Sequence, residues 1–177
     1  MGPNPVAIGK PEASEYLPYY EKYISLVAGS DIVTQLQEQM NRTAALLSSV
    51  GEAKGEFRYA PEKWNVKEVL GHLIDTERIM AYRALRISRN DPTPIEGFEQ
   101  DDYVRNAPHG RSTVKDLAEE FEAVRRATVF LFRSLDADAW MRRGTANRAE
   151  ISVRALAYIV AGHELHHRKM LVEKYGC

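Results

Sequence analysis

The sequence ISVRALAYIVAGHELHHRKMLVEKY, residues 151–175, has the pattern of one long amphipathic helix. Its apolar side chains recur every three or four residues, as expected for a helix face that packs against a core. They are Leu156, Ile159, Val160, Met170 and Leu171. His163 and His167 fall on the same face one turn apart, so their imidazoles project to the same side. The stretch is therefore predicted to carry two histidines into a helical core.

Three other stretches have the same periodicity, and each follows a residue that can cap a helix. The caps are Asp31, Asn65 and Thr113, and the predicted helices run to about residues 50, 89 and 135. A shorter helix is predicted between residues 13 and 27, and its tyrosines are expected to pack against the outside of the bundle. These are Tyr16, Tyr19, Tyr20 and Tyr23. The pattern predicts an all-α fold, an up-and-down or related four-helix bundle with an additional short N-terminal helix.

The chain of 177 residues has the length of one domain, and residues 1–177 are predicted to form a single one. Glycines and prolines predict an extended lead-in over residues 1–12. Residues 90–111 lack periodicity and make a connection much longer than is usual between bundle helices. They are predicted to form a long loop of the kind that often covers a site.

The charge balance argues against some classes of partner. The formal net charge is -1 and the charges are interspersed, so a basic surface for nucleic acid is not expected. No stretch is apolar over the roughly 18 residues of a membrane span, and the N-terminus lacks a signal-peptide pattern. Cys177 is the only cysteine, so no intrachain disulfide can form. We therefore expect a cytoplasmic protein without nucleic-acid or membrane partners.

The histidine-rich part of the last stretch formally contains the zinc-protease pattern H-E-x-x-H, at His163, Glu164 and His167. That class takes its third ligand from further along the chain, and only ten residues follow His167. A third ligand from upstream is favoured, and the candidate is His72, which lies beside the apolar face of its predicted helix. Spacing alone leaves open that the three histidines are separate and have polar partners of their own.

Two motifs stand in this order along the chain, WNVKEVLGHLID at residues 64–75 and AGHELHH at residues 161–167. Together they resemble the DinB/YfiT-like superfamily over most of the chain. The resemblance implies a four-helix bundle in which one histidine of the first motif and two of the second hold a divalent metal ion. By position these are His72, His163 and His167. It also implies a homodimer. The superfamily it points to includes enzymes that depend on bacillithiol or mycothiol.

The chemistry of such a site follows from its ligands. Three neutral imidazoles leave a zinc or nickel ion with open coordination positions, and the ligand type does not distinguish these metals. Such an ion can bring the pKa of water to about 7 or deprotonate a thiol. The preferred hypothesis is a hydrolase or S-transferase that acts on a small-molecule substrate with water or a low-molecular-weight thiol. The alternative is a non-catalytic stress or interaction module in which the ion only stabilises the bundle.

Other polar side chains are assigned by position. Glu68, Glu164 and His166 are expected to surround the ligands without binding the ion. In the long loop, Asp102 and Tyr103 are the first candidates for a catalytic base or a substrate contact, although loop charges are usually solvated. A series of arginines could bind an anionic substrate or simply face solvent. It consists of Arg78, Arg83, Arg86 and Arg89.

Overall fold

A computed structural model describes residues 8–177, which form eight α-helices and one small hairpin. The helices are α1 (Glu21–Ile24), α2 (Ile32–Ser48), α3 (Glu52–Gly55), α4 (Val66–Ser88), α5 (Gln100–Asn106), α6 (Val114–Arg133), α7 (Ala137–Met141) and α8 (Val153–Glu173). The hairpin pairs β1 (Arg143–Ala146) with β2 (Ala149–Ser152) in antiparallel fashion. Single 3-10 turns occur at Ala13–Glu15, Pro18–Tyr20 and His109–Arg111. Among these residues no helix is both long and apolar enough to cross a bilayer.

The four long helices form the predicted bundle, but not in an up-and-down order. Each of α2 and α4 packs against both α6 and α8, so α2 and α4 lie diagonally across the bundle. Val66 and Val114, which begin α4 and α6, belong to the same apolar cluster, so these neighbouring helices run parallel. A parallel pair needs a connection that returns along the bundle. This requirement explains why the segment between α4 and α6 is so long.

The predicted helix starts are confirmed by their caps. The side chains of Asp31, Asn65 and Thr113 accept the backbone N–H groups of Thr34, Glu68 and Asp116, respectively. Ser152 caps α8 in the same way, by accepting the backbone N–H of Ala155. Glu68 also accepts the backbone N–H of Asn65 at 2.8 Å, which completes a capping box. These signals are local, because a cap needs only three or four neighbouring residues. They could therefore be identified from the sequence alone.

The hairpin was not predicted, and Ile151 belongs to it rather than to the last helix. Ile151 pairs with Gly144 in the sheet, and α8 begins two residues later, after Ser152. The turn places Asn147 and Arg148 at positive φ, 50° and 63°. That conformation suits a two-residue hairpin loop, although it is uncommon for residues other than glycine. With four residues per strand, no clear alternation marks the hairpin in the sequence.

Two further segments differ from the simple pattern. The predicted N-terminal helix over residues 13–27 is divided into two 3-10 turns and the short α1. The connection over residues 90–111 contains α5 and a 3-10 turn at His109–Arg111. Of the predicted lead-in over residues 1–12, residues 8–12 have no helix or strand, and the remainder lies outside the described residues.

The buried apolar residues fall into two clusters toward opposite ends of the bundle. Between them all four long helices carry buried polar side chains at the same level. These are Gln39 and Thr43 on α2, His72, Thr76 and Glu77 on α4, Arg125 and Thr128 on α6, and His163, Glu164 and His167 on α8. We call this set the polar layer. Because buried polar groups need partners, the layer constrains how the four helices can be arranged.

One half of the polar layer is an ion network centred on Arg125, whose side chain is fully buried. Its guanidinium donates to both carboxylate oxygens of Glu77 at 2.8 Å and to Glu164 at 2.6 Å. A third acceptor is the carbonyl of Leu36 at 3.2 Å, and Thr43 donates to Glu164. Burial alone lowers the pKa of the Arg125 guanidinium, but the two carboxylates outweigh burial and hold that pKa above its ordinary value. The network joins all four long helices.

We predict that Arg125→Met lowers the free energy of unfolding by about 3–5 kcal/mol, because two carboxylates then lose their buried partner. Urea denaturation followed by circular dichroism measures the change. The matched control is Arg126→Met, one residue along α6 and exposed, which should change stability by less than about 0.5 kcal/mol. A loss for Arg125→Met no larger than that of the control would contradict the role assigned to the network.

Candidate metal centre

The other half of the polar layer is a cluster of three histidines from two helices. The Nε2 atom of His163 lies 3.0 Å from Nε2 of His72 and 3.1 Å from Nε2 of His167. All three ring nitrogens lie within 4.8 Å of one another, and all three side chains are buried. The structure thus brings together the three residues that the motifs singled out, although His72 is 91 residues from His163 in the chain.

The three rings cannot satisfy one another with hydrogen bonds. In a neutral imidazole, Nε2 offers either one hydrogen or one lone pair. Nε2 of His163 therefore forms at most one good hydrogen bond, yet two other ring nitrogens lie within 3.1 Å of it. Imidazole nitrogens bound to one tetrahedral ion at 2.0–2.1 Å lie about 3.3 Å apart. The donor set and its spacing fit a single divalent ion.

Burial keeps these histidines neutral at physiological pH. It lowers the pKa of His72 from 6.5 to about 4. Burial, aided by repulsion from His72, lowers the pKa of His167 to about 3. The pKa of His163 is held well below its usual range, again first by burial and then by the two other rings. Neutral imidazoles are the form that binds a metal ion.

Neighbouring aromatic rings hold the cluster in place. Trp64, which opens the first motif, has its ring centroid 4.8 Å from that of His72. The ring of Tyr23 packs edge-on against His163, with centroids 5.2 Å apart. Tyr23 is buried, so the expectation that the N-terminal tyrosines pack outside the bundle is wrong for this residue. Nothing local in the sequence distinguishes Tyr23 from the neighbouring tyrosines, because its burial depends on packing of α1 against α8.

Each of the two helices has a glycine immediately before its first cluster histidine. A Cβ at Gly71 would lie 2.1–2.3 Å from ring atoms of His109, and one at Gly162 would lie 2.1 Å from the backbone oxygen of Tyr23. Both glycines therefore allow another segment to approach the bundle closely. Glycine precedes the histidine in both motifs for a steric reason: the side chain of His109 and the backbone of Tyr23 occupy the space that a Cβ would need.

The residues expected around the ligands have different roles in the structure. Glu68 accepts from the backbone of Asn65 and pairs with Arg58 at 2.8 Å, rather than contacting His72. Nδ1 of His72 instead faces the hydroxyl of Thr76 at 3.4 Å. Glu164 belongs to the Arg125 network. His166 is half-buried, and its ring contacts that of Tyr23.

The two loop candidates are not brought to the histidines. Asp102 is exposed and pairs with Arg105 at 2.6 Å, and the exposed Tyr103 packs against Phe98. Neither lines the cavity beside the cluster. The loop contributes other residues, Phe98 to Asp101, because only this part of the connection reaches the cavity wall.

A cavity of about 410 Å³ opens directly beside His72 and His163. Its wall combines aromatic and polar side chains from α1 and the 3-10 turn before it, from α4, from the long connection and from the hairpin turn. They include Tyr20, Tyr23, Thr76, Arg83, Phe98 and Asn147. This volume lies in the usual range for small-molecule sites, about 300–1,000 Å³. The histidine cluster therefore forms one end of a space large enough for a small ligand.

Comparison with solved structures shows the fold to be a known one. The chain is similar to YfiT from Bacillus subtilis, described as a probable metal-dependent hydrolase with an unusual four-helix bundle topology. The TM-score is 0.69 at 15% identity, over 97% of this chain and 96% of that one. It is also similar to the mycothiol-dependent maleylpyruvate isomerase, with a TM-score of 0.66 at 13% identity over 82% of this chain. That match covers 61% of the isomerase, so this chain spans less than two thirds of its length.

A comparison with curated proteins found no significant match. In contrast, the sequence matches the DinB superfamily over residues 35–171, which is most of the chain and includes both histidine motifs. This protein therefore belongs to the DinB superfamily.

Proposed function

We propose that this protein is a divalent-metal-dependent enzyme in which His72, His163 and His167 hold a zinc or nickel ion. The observation that carries the proposal is the convergence of three buried, neutral ring nitrogens that cannot satisfy one another. The adjoining cavity gives a small molecule access to that point. A site with three protein ligands and free space beside it is typical of catalytic rather than structural metal sites.

When bound, the ion would supply Lewis acidity and lower the pKa of a water or thiol beside it. The protein's own residues orient and shield the site. Trp64 covers the ring of His72, and Tyr23 covers the ring of His163. The Arg125 network anchors Glu164, the residue next to His163, and so limits rotation of α8. These contacts hold the ring nitrogens in position before any ligand arrives.

Two reaction types are consistent with the site. The YfiT structure is described as that of a probable hydrolase, and the isomerase as mycothiol-dependent. We propose transfer of a low-molecular-weight thiol to a small electrophile, or hydrolysis of such a molecule. The homodimer implied by the family resemblance stays a prediction, which light scattering of the purified protein can check.

We predict that protein purified without a histidine tag binds one zinc or nickel ion per chain. His163→Ala should abolish stoichiometric binding, because it removes the nitrogen that lies closest to both other ligands. His166→Ala, a half-buried neighbour on the same helix, is the matched control and should retain the ion. Elemental analysis of the dialysed proteins measures the ratio. Full metal content in His163→Ala would remove the basis of the proposal.

We predict that the metal-loaded protein turns over a model electrophile with a small thiol, or a model ester with water. Chelation and His163→Ala should each reduce the rate at least about a hundredfold, whereas His166→Ala should not. Product formation is followed by mass spectrometry. If chelation lowers the melting temperature but no substrate in the panel is turned over with metal present, the non-catalytic module is the better explanation.

We predict that the metal-free protein loses stability as pH falls from about 6.5 to about 4. In this range the unfolded chain binds protons on His72 and His167, whose folded pKa values are about 4 and about 3. Each such histidine lowers the free energy of unfolding by about 1.4 kcal/mol per pH unit. Urea denaturation across this range gives the slope. In His72→Gln the free energy of unfolding should fall less steeply with pH, by about 1.4 kcal/mol per pH unit, because one proton fewer is taken up on unfolding. An unchanged slope would contradict the lowered pKa of His72.

A further inference from the structure

Arg83 is a second buried arginine, and it lines the cavity beside the histidines without a counter-ion. Its side chain is 2% exposed. Nη2 donates to the backbone carbonyl of Glu96 at 2.9 Å and Nη1 contacts the sulfur of Met80 at 3.7 Å, while Nε has no partner among the described residues. Within residues 8–177, no carboxylate lies within 4.0 Å of this guanidinium. Its positive charge is therefore buried, and no acidic side chain of residues 8–177 neutralises it.

The other arginines show how unusual this is. Arg125, which is equally buried, is paired with two carboxylates. On the helix that carries Arg83, Arg78 pairs with Glu120 and Arg86 with Asp91. Arg89, directly after this helix, is exposed. A buried charge without a partner costs several kcal/mol, so it is rarely retained for stability alone. A binding site that receives an anion would explain why Arg83 is present.

The position of Arg83 relative to the histidines limits the size of that anion. His72, Thr76, Met80 and Arg83 all line the cavity from α4. Arg83 follows His72 by eleven residues, about three helical turns, so the two lie on the same face with Cα atoms about 16 Å apart. Helical side chains point toward the N-terminus, and the contact with Met80 shows this for Arg83. The distance left between the guanidinium of Arg83 and the ring nitrogens of the histidines is on the order of 10 Å. A molecule of that length has the size of a small metabolite.

The surroundings of Arg83 support binding of an anion there. Tyr20 also lines the cavity, and burial raises the pKa of its hydroxyl while the charge of Arg83 opposes part of that rise. The hydroxyl therefore remains protonated and can donate a second hydrogen bond. Phe98 lies with its ring centroid 6.0 Å from the guanidinium. The acidic side chains at the cavity, Glu99 and Asp101, are exposed and lie beyond ion-pair distance.

We propose that the cavity binds a small carboxylate, with the carboxylate group at Arg83 and Tyr20 and the reactive end at the histidine cluster. The position of the reactive end rests on the proposed function, whereas the carboxylate site does not. A guanidinium with free N–H groups matches a carboxylate, because both are planar and can form two parallel hydrogen bonds. The substrate class of this protein is then a carboxylic acid, or a thiol that carries a carboxylate, with about six atoms between its two ends.

Binding to metal-free protein tests the carboxylate site by itself. Hexanoate and the neutral hexanamide are titrated into isotope-labelled protein, and the arginine Nε–H resonances are followed by NMR. Hexanoate should shift the Nε–H resonance of Arg83 and bind at least about tenfold more tightly than hexanamide, since a charge-assisted hydrogen bond is lost with the amide. Equal binding of the two ligands, or no shift of that resonance, would overturn the proposal.

Two variants separate binding from folding. Arg83→Gln should abolish the preference for hexanoate, while Arg89→Gln, at the exposed residue that directly follows α4, should keep it. Because Arg83 has no counter-ion among the described residues, Arg83→Gln should leave the melting temperature unchanged or raise it. If Arg83→Gln instead unfolds the protein and wild type shows no preference for hexanoate, Arg83 has a structural role and the proposal is wrong.

Metal-loaded protein separates this inference from the proposed function. Cobalt is substituted at the histidine cluster, and ω-mercaptohexanoate is compared with ω-mercaptohexanol through the sulfur-to-cobalt absorption band. The mercaptohexanoate should bind at least about tenfold more tightly in wild type and equally in Arg83→Gln. Equal binding of the two thiols in wild type would overturn the carboxylate site but leave metal-thiol chemistry intact. Absence of the band with a preserved hexanoate preference would overturn the thiol chemistry alone.

Discussion

The ion network of Arg125, Glu77 and Glu164 lies between the two apolar clusters and joins α6, α4 and α8. Hydrogen bonds with Leu36 and Thr43 extend it to α2. Apolar faces alone would tolerate several helix orders and rotations, because hydrophobic contact has little directional preference. A buried guanidinium with three acceptors restricts the helix order and rotation much more, because any other arrangement would leave a buried charge without a partner. The network therefore selects the helix order in which α4 packs against both α6 and α8.

The same network sets the position of the histidine cluster. Glu164 is next to His163 on α8, and Glu77 is five residues after His72 on α4. When Arg125 binds both carboxylates, it fixes the rotation of α8 relative to α4, and the two histidine faces then point toward each other. The ring nitrogens can converge within 3.1 Å only if this rotation is held closely. A structural ion network and a candidate metal centre thus occupy one polar layer, and the geometry of the candidate centre depends on the network.

The two buried arginines illustrate two uses of the same residue type. Arg125 pairs with two carboxylates and belongs to the architecture, whereas Arg83 faces the cavity and has no counter-ion within residues 8–177. The parallel arrangement of α4 and α6 forces the connection between them to return along the bundle. That return brings Phe98 to Asp101 against the cavity and places the Glu96 carbonyl on Arg83. A topological requirement of the fold therefore also provides one wall of the proposed binding site.

The sequence by itself determined the long helices, their capped starts and the identity of the three histidines. Caps and helical periodicity act over a few residues, and the two Gly-His motifs are short, so this information is local. Only the tertiary structure decided the helix order, the small hairpin, the burial of Tyr23 and the position of α5. It also decided which arginine in and just after α4 faces inward, since the sequence pattern does not distinguish Arg78, Arg83, Arg86 and Arg89. The partner of a buried charge is often far away in the chain, and only the packing of helices against one another brings the two groups together.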